Sequence, residues 1–511
     1  MTTQAEIAYD ALLDHLREQA LVTSCQELLS WDELTRLPDG ATDYRGRQIA
    51  YLAGKHHELA TDPRLGEWLD LAERSPLVAD PTSDAAVNIR EARRHYDRLT
   101  RLPRGLVEEL ARLVTTGQHE WKLAREANDF RPFQPWLQRI VLRKREEALC
   151  LAASDVPYDA LLAEYEPGFT TADLNVRFAS LGSELTALLR EVIDLQIGTG
   201  KSPPLAILRR QYAPDLQRTF CESMAQAIGF DLSRGGIDTS VHPFTSLLGP
   251  ADCRIALRFD PRDLREGVFG ALHEIGHALY DQGLPSEHYG TPLGEPASLS
   301  IHESQGRLWE NAVGRTLGFW QHFLPQLARL FPAALADANP TDLWRAVNFV
   351  EPNPNRVRAD EVTYNLHILI RFELEQALLA GDLPVADLPD AWNEGYEKHL
   401  GVMPQSPREG CLQDGHWASG MFGYFSTYTL GNLAAAQLYT KAESDLGPLS
   451  DHFARGDFGG LREWLAAHVY RHGKRFSTDQ LVRRATGQPL DHRPFIASLR
   501  RRHVELWSAS G

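Results

Sequence analysis

The chain has few cysteines, no long apolar run and no excess of basic residues, and each absence excludes a class of protein. The five cysteines are scattered over 511 residues without C-x-x-C spacing, which argues against a cysteine zinc site and suits a reducing cytoplasm. No run approaches the roughly 18 apolar residues that a membrane helix needs. The polar N-terminal segment 1–20 lacks the apolar core of a secretory signal, so we expect a cytoplasmic protein.

Composition narrows the class further. A net charge of −16 argues against nucleic acid or an anionic membrane as the main partner. Hydrophobic residues make up 43% of the chain, which is ordinary for a soluble globular protein. The length allows a large core and, taken alone, would suggest about three domains.

Helical periodicity dominates the chain. A first amphipathic helix is predicted from Ile7, and further helices over Leu106–Trp121 and Trp136–Leu149. The clearest linker-like stretch is Gly198–Pro204, whose G-x-G-K-S fragment lacks the full spacing of a phosphate-binding loop.

The clearest strand is predicted over Cys253–Phe259, where apolar and other residues alternate. Such a strand could pair with an extended peptide, or it could be an ordinary edge strand. The sequence alone leaves both interpretations open.

The most informative motif is H-E-x-x-H at His273-Glu274-Ile275-Gly276-His277. Residues four apart lie on one helix face, so both imidazoles can point at one metal ion. Glu274 lies about 100° around the helix, where it can reach a water beside the metal rather than the metal itself. Two ligands and a base of this kind are typical of metal-dependent peptidases.

The motif falls within a predicted helix of about five turns. Asp260-Pro261 is typical of a helix start, and Gly283 of a helix end. Three glycines inside this helix, Gly267, Gly270 and Gly276, would let the metal or another backbone come close.

A catalytic zinc site needs a third protein ligand besides the two histidines. Glu303 in Ile301-His302-Glu303-Ser304-Gln305 is the best candidate, because it precedes a helix-like apolar run. His302 is the second candidate, although a histidine at the surface or beside the ligands is the more ordinary interpretation.

Taken together, these segments resemble the carboxypeptidase Taq family of zinc metallocarboxypeptidases, from Trp31-Asp32 to about Gly431. The resemblance depends on six motifs in order. They are H-P-F at 242–244, D-x-R-x-T near 252–256, H-E-x-G-H at 273–277, H-E-S-Q at 302–305, V-R-x-x-A-D near 355–360, and G-x-x-Q-D-x-H-W at 410–417. Two positions depart from the pattern, Ala256 in place of threonine and Asn355 in place of an apolar residue, and both bear on substrate preference.

The resemblance implies a role for each motif. His273, His277 and Glu303 would bind one divalent metal, zinc or in its place cobalt, and Glu274 would be the general base. The family is similar to neurolysin and angiotensin-converting enzyme, which stabilise the oxyanion with a histidine and a tyrosine. The corresponding residues here are His416 and Tyr424 or Tyr428, with Tyr424 ranked first. Substrate contacts are expected from Arg356, His242, Arg254 and Gln413.

Several of these side chains have a second interpretation. Arg356 would grip the substrate carboxylate, or it could pair locally with Asp360 or Glu361. From the residues alone both remain open, and the resemblance favours the substrate. His242 could bond the substrate backbone or cap its own Pro-Phe turn, and each tyrosine taken alone could simply pack.

The sequence therefore predicts a mainly α-helical, neurolysin-like peptidase with a deep groove and a small sheet beside the metal helix. We expect a single domain, with an N-terminal helical lobe at about 1–204 and a catalytic lobe at about 205–511. The expected function is removal of single C-terminal amino acids from peptides, with broad preference, poor action on proline, and a homodimeric state. The alternatives are an oligopeptidase that cuts internal bonds and a zinc-stabilised scaffold without catalysis.

Overall fold

A computed structural model describes residues 3–152, 156–199 and 204–508. Of the linker-like stretch predicted at Gly198–Pro204, residues 200–203 lie outside the described residues. None of the described helices is both long and apolar enough to span a bilayer.

Most of the described chain is α-helical. The helices are α1 (Gln4–Thr35), α2 (Thr42–Ala60), α3 (Pro63–Glu73), α4 (Asp84–Arg101), α5 (Arg104–Ala127), α6 (Gln134–Leu151), α7 (Pro157–Tyr165), α8 (Thr171–Gly198), α9 (Pro214–Ile228), α10 (Leu264–Gly283), α11 (Leu299–Arg307), α12 (Leu317–Leu330), α13 (Pro332–Leu335), α14 (Pro340–Val347), α15 (Glu361–Ala380), α16 (Leu388–Leu400), α17 (Phe425–Leu446), α18 (Leu449–Ala454), α19 (Gly459–His468), α20 (Thr478–Thr486) and α21 (Arg493–Ser508).

Shorter helical turns connect these elements. A π-helical segment, Leu308–Val313, follows α11 directly. The 3₁₀ turns are Asp39–Ala41, Pro76–Val78, Leu205–Arg209, Leu232–Arg234, Ser286–His288, Pro292–Gly294, Arg356–Arg358, Val385–Asp387 and Tyr470–Arg475. The helices predicted from periodicity near Ile7, over Leu106–Trp121 and over Trp136–Leu149 are confirmed as α1, α5 and α6.

The sheet has three strands, β1 (Gly235–Thr239), β2 (Phe244–Gly249) and β3 (Asp252–Leu257), in the order β1-β3-β2. Strand β3 pairs in parallel with β1 and antiparallel with β2. The strand predicted at Cys253–Phe259 is thus central and already paired on both sides. The interpretation of β3 as an edge strand, or as a strand that pairs with a peptide, is wrong, because neighbours that precede it in the chain occupy both edges.

The chain forms two compact units. Unit 1 comprises Met1–Thr100, Pro203–Val347 and Ala434–Leu490, and unit 2 comprises Arg101–Ser202, Asn348–Leu433 and Asp491–Gly511. The predicted lobes at 1–204 and 205–511 and the predicted groove stay predictions.

In unit 1, helix α10 packs against β3, β2, α9 and α11. The helix begins later than the predicted Asp260-Pro261 start. The carboxylate of Asp260 accepts from the backbone N–H of Arg262 in a turn, so Asp263 becomes the N-cap and accepts from the N–H of Arg265. The helix ends at Gly283, as expected. A second core, among α1, α3 and α4, is formed by buried apolar residues that include Leu12, Leu65, Leu69 and Ile89.

In unit 2, helix α15 is buried along nearly its whole length and packs against α6, α7, α8 and α16. Asp360 caps its first turn by accepting from the backbone N–H groups of Val362 and Thr363, both at 3.0 Å. Because its side chains are mainly apolar on every face, α15 is suited to the centre of a helical unit rather than to a surface.

One carboxyl group on α15 is buried without a cation among its hydrogen-bond partners. Glu375 accepts hydrogen bonds from the hydroxyl of Tyr158 (2.8 Å), the indole of Trp417 (2.8 Å) and the backbone N–H of Gly423 (3.1 Å). Burial raises the pKa of Glu375 from its ordinary value of 4.5 to about 7, although these three donors act in the opposite sense.

This pKa predicts a stability that depends on pH. Because the folded protein holds the proton more tightly than the unfolded chain, the contribution of Glu375 is full below about pH 4.5 and disappears as the pH rises through about 7. Between pH 5 and pH 8, wild type should lose about 2.5 kcal/mol of unfolding free energy relative to Glu375→Gln, measured by denaturant titration. In the exposed control Glu397→Gln, the unfolding free energy should differ from that of wild type by the same amount at every pH. Parallel curves for Glu375→Gln and wild type would contradict the prediction.

Candidate metal centre

Three predicted ligands come together in unit 1. The Nε2 atoms of His273 and His277 lie 3.0 Å apart, and each is 3.9 Å from Oε2 of Glu303. These residues form a group that could hold a metal ion. The centre of this triangle is about 2.1 Å from every ligand atom, within the range of about 2.0–2.2 Å for zinc–nitrogen and zinc–oxygen bonds.

The orientation of the His273 imidazole and the lowered pKa of the His277 imidazole also fit a metal. Nδ1 of His273 lies 3.0 Å from a carboxylate oxygen of Glu310 and donates to it, so Nε2 presents a lone pair to the centre of the triangle. Burial, together with the imidazoles of His302 and His273, holds the pKa of His277 well below its usual value. A neutral imidazole is the form that coordinates a metal.

A close approach of two helices brings Glu303 to the histidines. A Cβ atom on Gly276 would lie 2.3 Å from the backbone oxygen of Gln305, and one on Gly306 would lie 2.9 Å from the ring of His273. Neither distance is possible for a real side chain. The prediction that a small residue in α10 admits another backbone is therefore confirmed at Gly276.

A second set of charges, not identified from the sequence, contacts the predicted ligands. Arg307 donates from Nε to Glu303 at 2.7 Å and from Nη1 to Glu310 at 3.1 Å. Burial would raise the pKa of Glu310, but Arg307 and His273 outweigh it and lower this pKa to about 2. The spacing i, i+4, i+7 from Glu303 could have indicated this set, since these positions share a helix face.

The π-helical segment carries Glu310 and therefore belongs to the same arrangement. It begins at Leu308, directly after Arg307 and α11. Short π-helical segments occur frequently at functional sites.

The predicted base, Glu274, is buried on the same helix. The hydroxyl of Thr245 in β2 donates to its Oε2 atom at 2.7 Å. Burial raises the pKa of Glu274, while the charge of His273 and the hydrogen bond from Thr245 act in the opposite sense. A buried carboxylate with a raised pKa accepts a proton more readily than a free one.

His302, the second candidate for the third ligand, does not belong to the triangle. Its Nε2 atom contacts Oδ1 of Asp281 at 3.1 Å, and its ring stacks on that of His277 at 4.3 Å between centroids. His302 thus packs against a predicted ligand, as the more ordinary interpretation of this histidine expects.

Unit 2 contains the predicted carboxylate-binding residue, Arg356. Its Nε and Nη2 atoms donate to Oδ1 of Asp414 at 3.1 and 2.7 Å, and Nη1 donates to the hydroxyl of Tyr364 at 3.1 Å. The local partners considered from the sequence are occupied elsewhere, because Asp360 caps α15 and Glu361 pairs with Arg502. Local pairing of Arg356 with either of them is therefore wrong.

The arrangement around Arg356 carries a net positive charge. Asp414 also pairs with Arg371, so one carboxylate faces two guanidinium groups. These two cations outweigh burial and hold the pKa of Asp414 far below its usual range. Three of the five N–H groups of Arg356 are used by partners within the described chain, which leaves one on each terminal nitrogen.

Gln413 positions Arg356 within unit 2. Its Oε1 atom accepts from the backbone N–H of Arg356 at 3.0 Å, and its Nε2 atom lies 2.6 Å from the backbone oxygen of Glu409 and 3.0 Å from that of Pro354. These contacts use both ends of the amide.

The predicted oxyanion residues form an aromatic cluster in unit 2. Nε2 of His416 contacts the hydroxyl of Tyr428 at 3.3 Å, and the guanidinium of Arg356 lies 5.4 Å from the centre of the Tyr428 ring. Tyr424 meets the ring of Tyr165 edge to face at 5.2 Å. Burial, with the charges of Arg356 and Arg371, lowers the pKa of His416 to about 4, although Asp414 acts in the opposite sense. Its imidazole is therefore neutral at pH 7.

The remaining predicted substrate residues lie in unit 1. Arg254 pairs with Asp252 through two contacts of 2.8 and 2.7 Å, and its guanidinium lies 5.9 Å from the centre of the Trp31 ring. The side chain of His242 is exposed, and its backbone oxygen accepts from Ser240.

Comparison with known proteins places this chain in a family. Residues 11–503 match the family described as carboxypeptidase Taq (M32) metallopeptidase. Thermostable carboxypeptidase 1 of Thermus thermophilus is 48% identical, over 98% of this chain and 99% of that protein. Carboxypeptidase 1 of Bacillus subtilis is 33% identical, over 97% of each chain. The crystal structure of M32 carboxypeptidase from Deinococcus radiodurans R1 superposes with a TM-score of 0.93 at 39% identity, over 98% of this chain and 100% of that one.

These findings decide several predictions. A mainly helical fold with a small sheet beside the H-E-x-x-H helix is confirmed. So is the resemblance stated from the six motifs. The roles of the individual site residues stay predictions.

Proposed function

This chain belongs to the carboxypeptidase Taq (M32) family and is a metallocarboxypeptidase, and we propose that it releases single C-terminal amino acids with broad preference. The observation that carries the proposal is Arg356, which keeps an N–H group on each terminal nitrogen in a buried site of net positive charge. Such a pair can grip a carboxylate through two hydrogen bonds. The resemblance to the family supports two further proposals, that C-terminal proline is released poorly and that the protein is a homodimer. Cysteine usage supports a cytoplasmic location.

We infer that His273, His277 and Glu303 hold one divalent metal, zinc in the first place and cobalt as the alternative. Two imidazoles and one carboxylate form the ligand set typical of catalytic zinc in peptidases. When bound, the metal supplies a Lewis acid that polarises a carbonyl and brings the pKa of a coordinated water towards about 7.

The protein's own groups then move the protons. Glu274 accepts a proton from the attacking water and passes it to the nitrogen of the leaving amino acid. Arg356 binds the terminal carboxylate and so selects the last peptide bond. Gln413 supports this step indirectly, because it holds the backbone of Arg356.

The oxyanion needs hydrogen-bond donors, and the cluster around His416 can provide them. Its neutral imidazole can donate an N–H group, and the hydroxyl of Tyr428 lies beside it. The hydroxyl of Tyr428 contacts His416, and its ring lies beside Arg356, so we rank Tyr428 first. Tyr424, ranked first from the sequence, also lies beside His416, with ring centroids 5.6 Å apart. Donors of this kind are worth about 3–4 kcal/mol in the transition state.

The test compares an N-blocked dipeptide that has a free C-terminal alanine with its C-amidated twin, each with zinc, with cobalt and with a chelator. We expect metal-dependent release from the free acid and at least about 100-fold slower cleavage of the amide, because the amide lacks the charge that Arg356 binds. A longer N-blocked peptide is assayed in parallel.

Equal cleavage of both twins would replace the proposal with an oligopeptidase that cuts internal bonds. Lack of cleavage of every peptide, with one metal bound per chain, would contradict the assigned chemistry. A third dipeptide carries a C-terminal proline, and its cleavage at the rate of the alanine dipeptide would contradict only the proposed specificity.

A further inference from the structure

The general base is held from outside its own helix. Thr245 lies in β2, opposite Ile255 of β3, and its hydroxyl reaches across to the carboxylate of Glu274 on α10. The same hydroxyl lies 3.2 Å from the backbone oxygen of Glu274, compared with 2.7 Å from Oε2. Because a hydroxyl donates one proton at a time, the shorter contact to the charged oxygen is the preferred one.

This contact restricts the motion of the carboxylate. A glutamate side chain has three rotatable bonds, and its terminal torsion is broad and roughly twofold. A donor fixed on a strand restricts the carboxylate to one orientation and marks Oε2 as the anchored oxygen. Misplacement of a base by about 1 Å can cost about 100-fold in rate.

The strand itself is well placed to act as the anchor. The H-P-F motif directly precedes Thr245. Its proline, Pro243, lies beside Gly270 of α10, where an added Cβ atom would be 3.7 Å from the proline ring, an ordinary contact distance. Phe244 packs against Trp31 of α1 with ring centroids 5.1 Å apart. The residue before Thr245 is therefore held by α1, and the turn before it rests on α10.

We propose that Thr245 is a positioning residue that orients the Glu274 carboxylate for proton transfer. The proposal rests on the role of Glu274 given above. The hydroxyl, rather than the shape of the threonine side chain, is the part that acts. It contacts neither the metal ligands nor, in this proposal, the substrate.

The test uses two substitutions that separate the hydroxyl from the shape. Thr245→Val keeps the branched shape and removes the hydroxyl, and it should lower kcat by about 10- to 100-fold with KM within about twofold. This range corresponds to a hydrogen bond to a charged group. Thr245→Ser keeps the hydroxyl and should retain kcat within about threefold. Metal content, measured by mass spectrometry, should equal that of wild type in both.

A control variant and three defined outcomes test the role of the Thr245 hydroxyl. Thr239→Val, in the exposed end of β1, should leave kcat and KM unchanged. Wild-type kcat in Thr245→Val, or a serine variant as slow as the valine variant, would overturn the proposal. So would a loss that appears only in KM. If Thr245→Val does not fold, Thr245→Ala provides the same comparison with Thr245→Ser.

Failure of this proposal is distinguishable from failure of the proposed function. An inactive Glu274→Gln variant beside a fully active Thr245→Val variant would contradict the role of Thr245 alone. Near-normal turnover of Glu274→Gln would contradict the role of the base, and the role of Thr245 with it.

Discussion

Replacing Glu274 with glutamine should lower kcat by about 1,000-fold or more while the metal stays bound. Glutamine keeps the size of the buried side chain but cannot accept a proton, and loss of a general base costs about 100- to 10,000-fold. The metal should remain because its proposed ligands are His273, His277 and Glu303, whose ligand atoms converge without Glu274. The measurement is kcat on the free-acid dipeptide, together with metal content by mass spectrometry.

A matched control lies on the same helix. Glu266→Gln removes a carboxylate two turns earlier, where the side chain pairs with Arg258 at 3.2 Å. Its kcat should stay within about twofold of wild type. Near-normal turnover by Glu274→Gln would refute the assignment of the base, and loss of metal from it would show that Glu274 belongs to the ligand set.

The parts of the site that local geometry determines could be predicted from the sequence. Helical spacing alone places His273 and His277 on one face with Glu274 beside them, and the structure has them so. Helices α1, α5 and α6 could equally be predicted from the sequence, because an amphipathic pattern is a property of one segment.

Features that depend on strand pairing or on competition between turns were harder to predict from the sequence. The position of β3 between β1 and β2 is decided by pairing, which alternation of apolar residues does not encode. The helix start moved from Asp260 to Asp263 because a competing turn uses the first carboxylate. The first difference comes from strand pairing between distant residues, and the second from a competing local turn.

The residues that contact Arg356 and Glu274 were also hard to predict, because they are distant in the chain. Asp414 lies 58 residues from Arg356, and Thr245 lies 29 residues from Glu274. Neither pair has a spacing that a helix or hairpin would bring together. Glu310 is the exception, because its spacing from Glu303 could have indicated a shared helix face.

Replacing Arg356 with methionine should raise KM for the free-acid dipeptide and lower kcat/KM by about 100-fold or more. Loss of one partner from a buried charge pair costs about 2–5 kcal/mol, and each 1.4 kcal/mol is a factor of ten. The fold should survive, because Asp414 keeps its contact with Arg371. The amidated dipeptide, which lacks the carboxylate, should be cleaved at an unchanged low rate, so the ratio between the two substrates should fall.

The matched control is Arg358→Met, two residues along the same turn, where the side chain is exposed. Its kinetics should equal those of wild type, since the protein's overall charge changes by the same amount in both variants. Arg356→Lys separates charge from geometry: it should recover part of the lost affinity, because an ammonium keeps the attraction but not the paired N–H groups. If Arg356→Met loses the same factor on both dipeptides, the arginine supports the fold or the chemistry in general, and carboxylate recognition must be assigned to another cation.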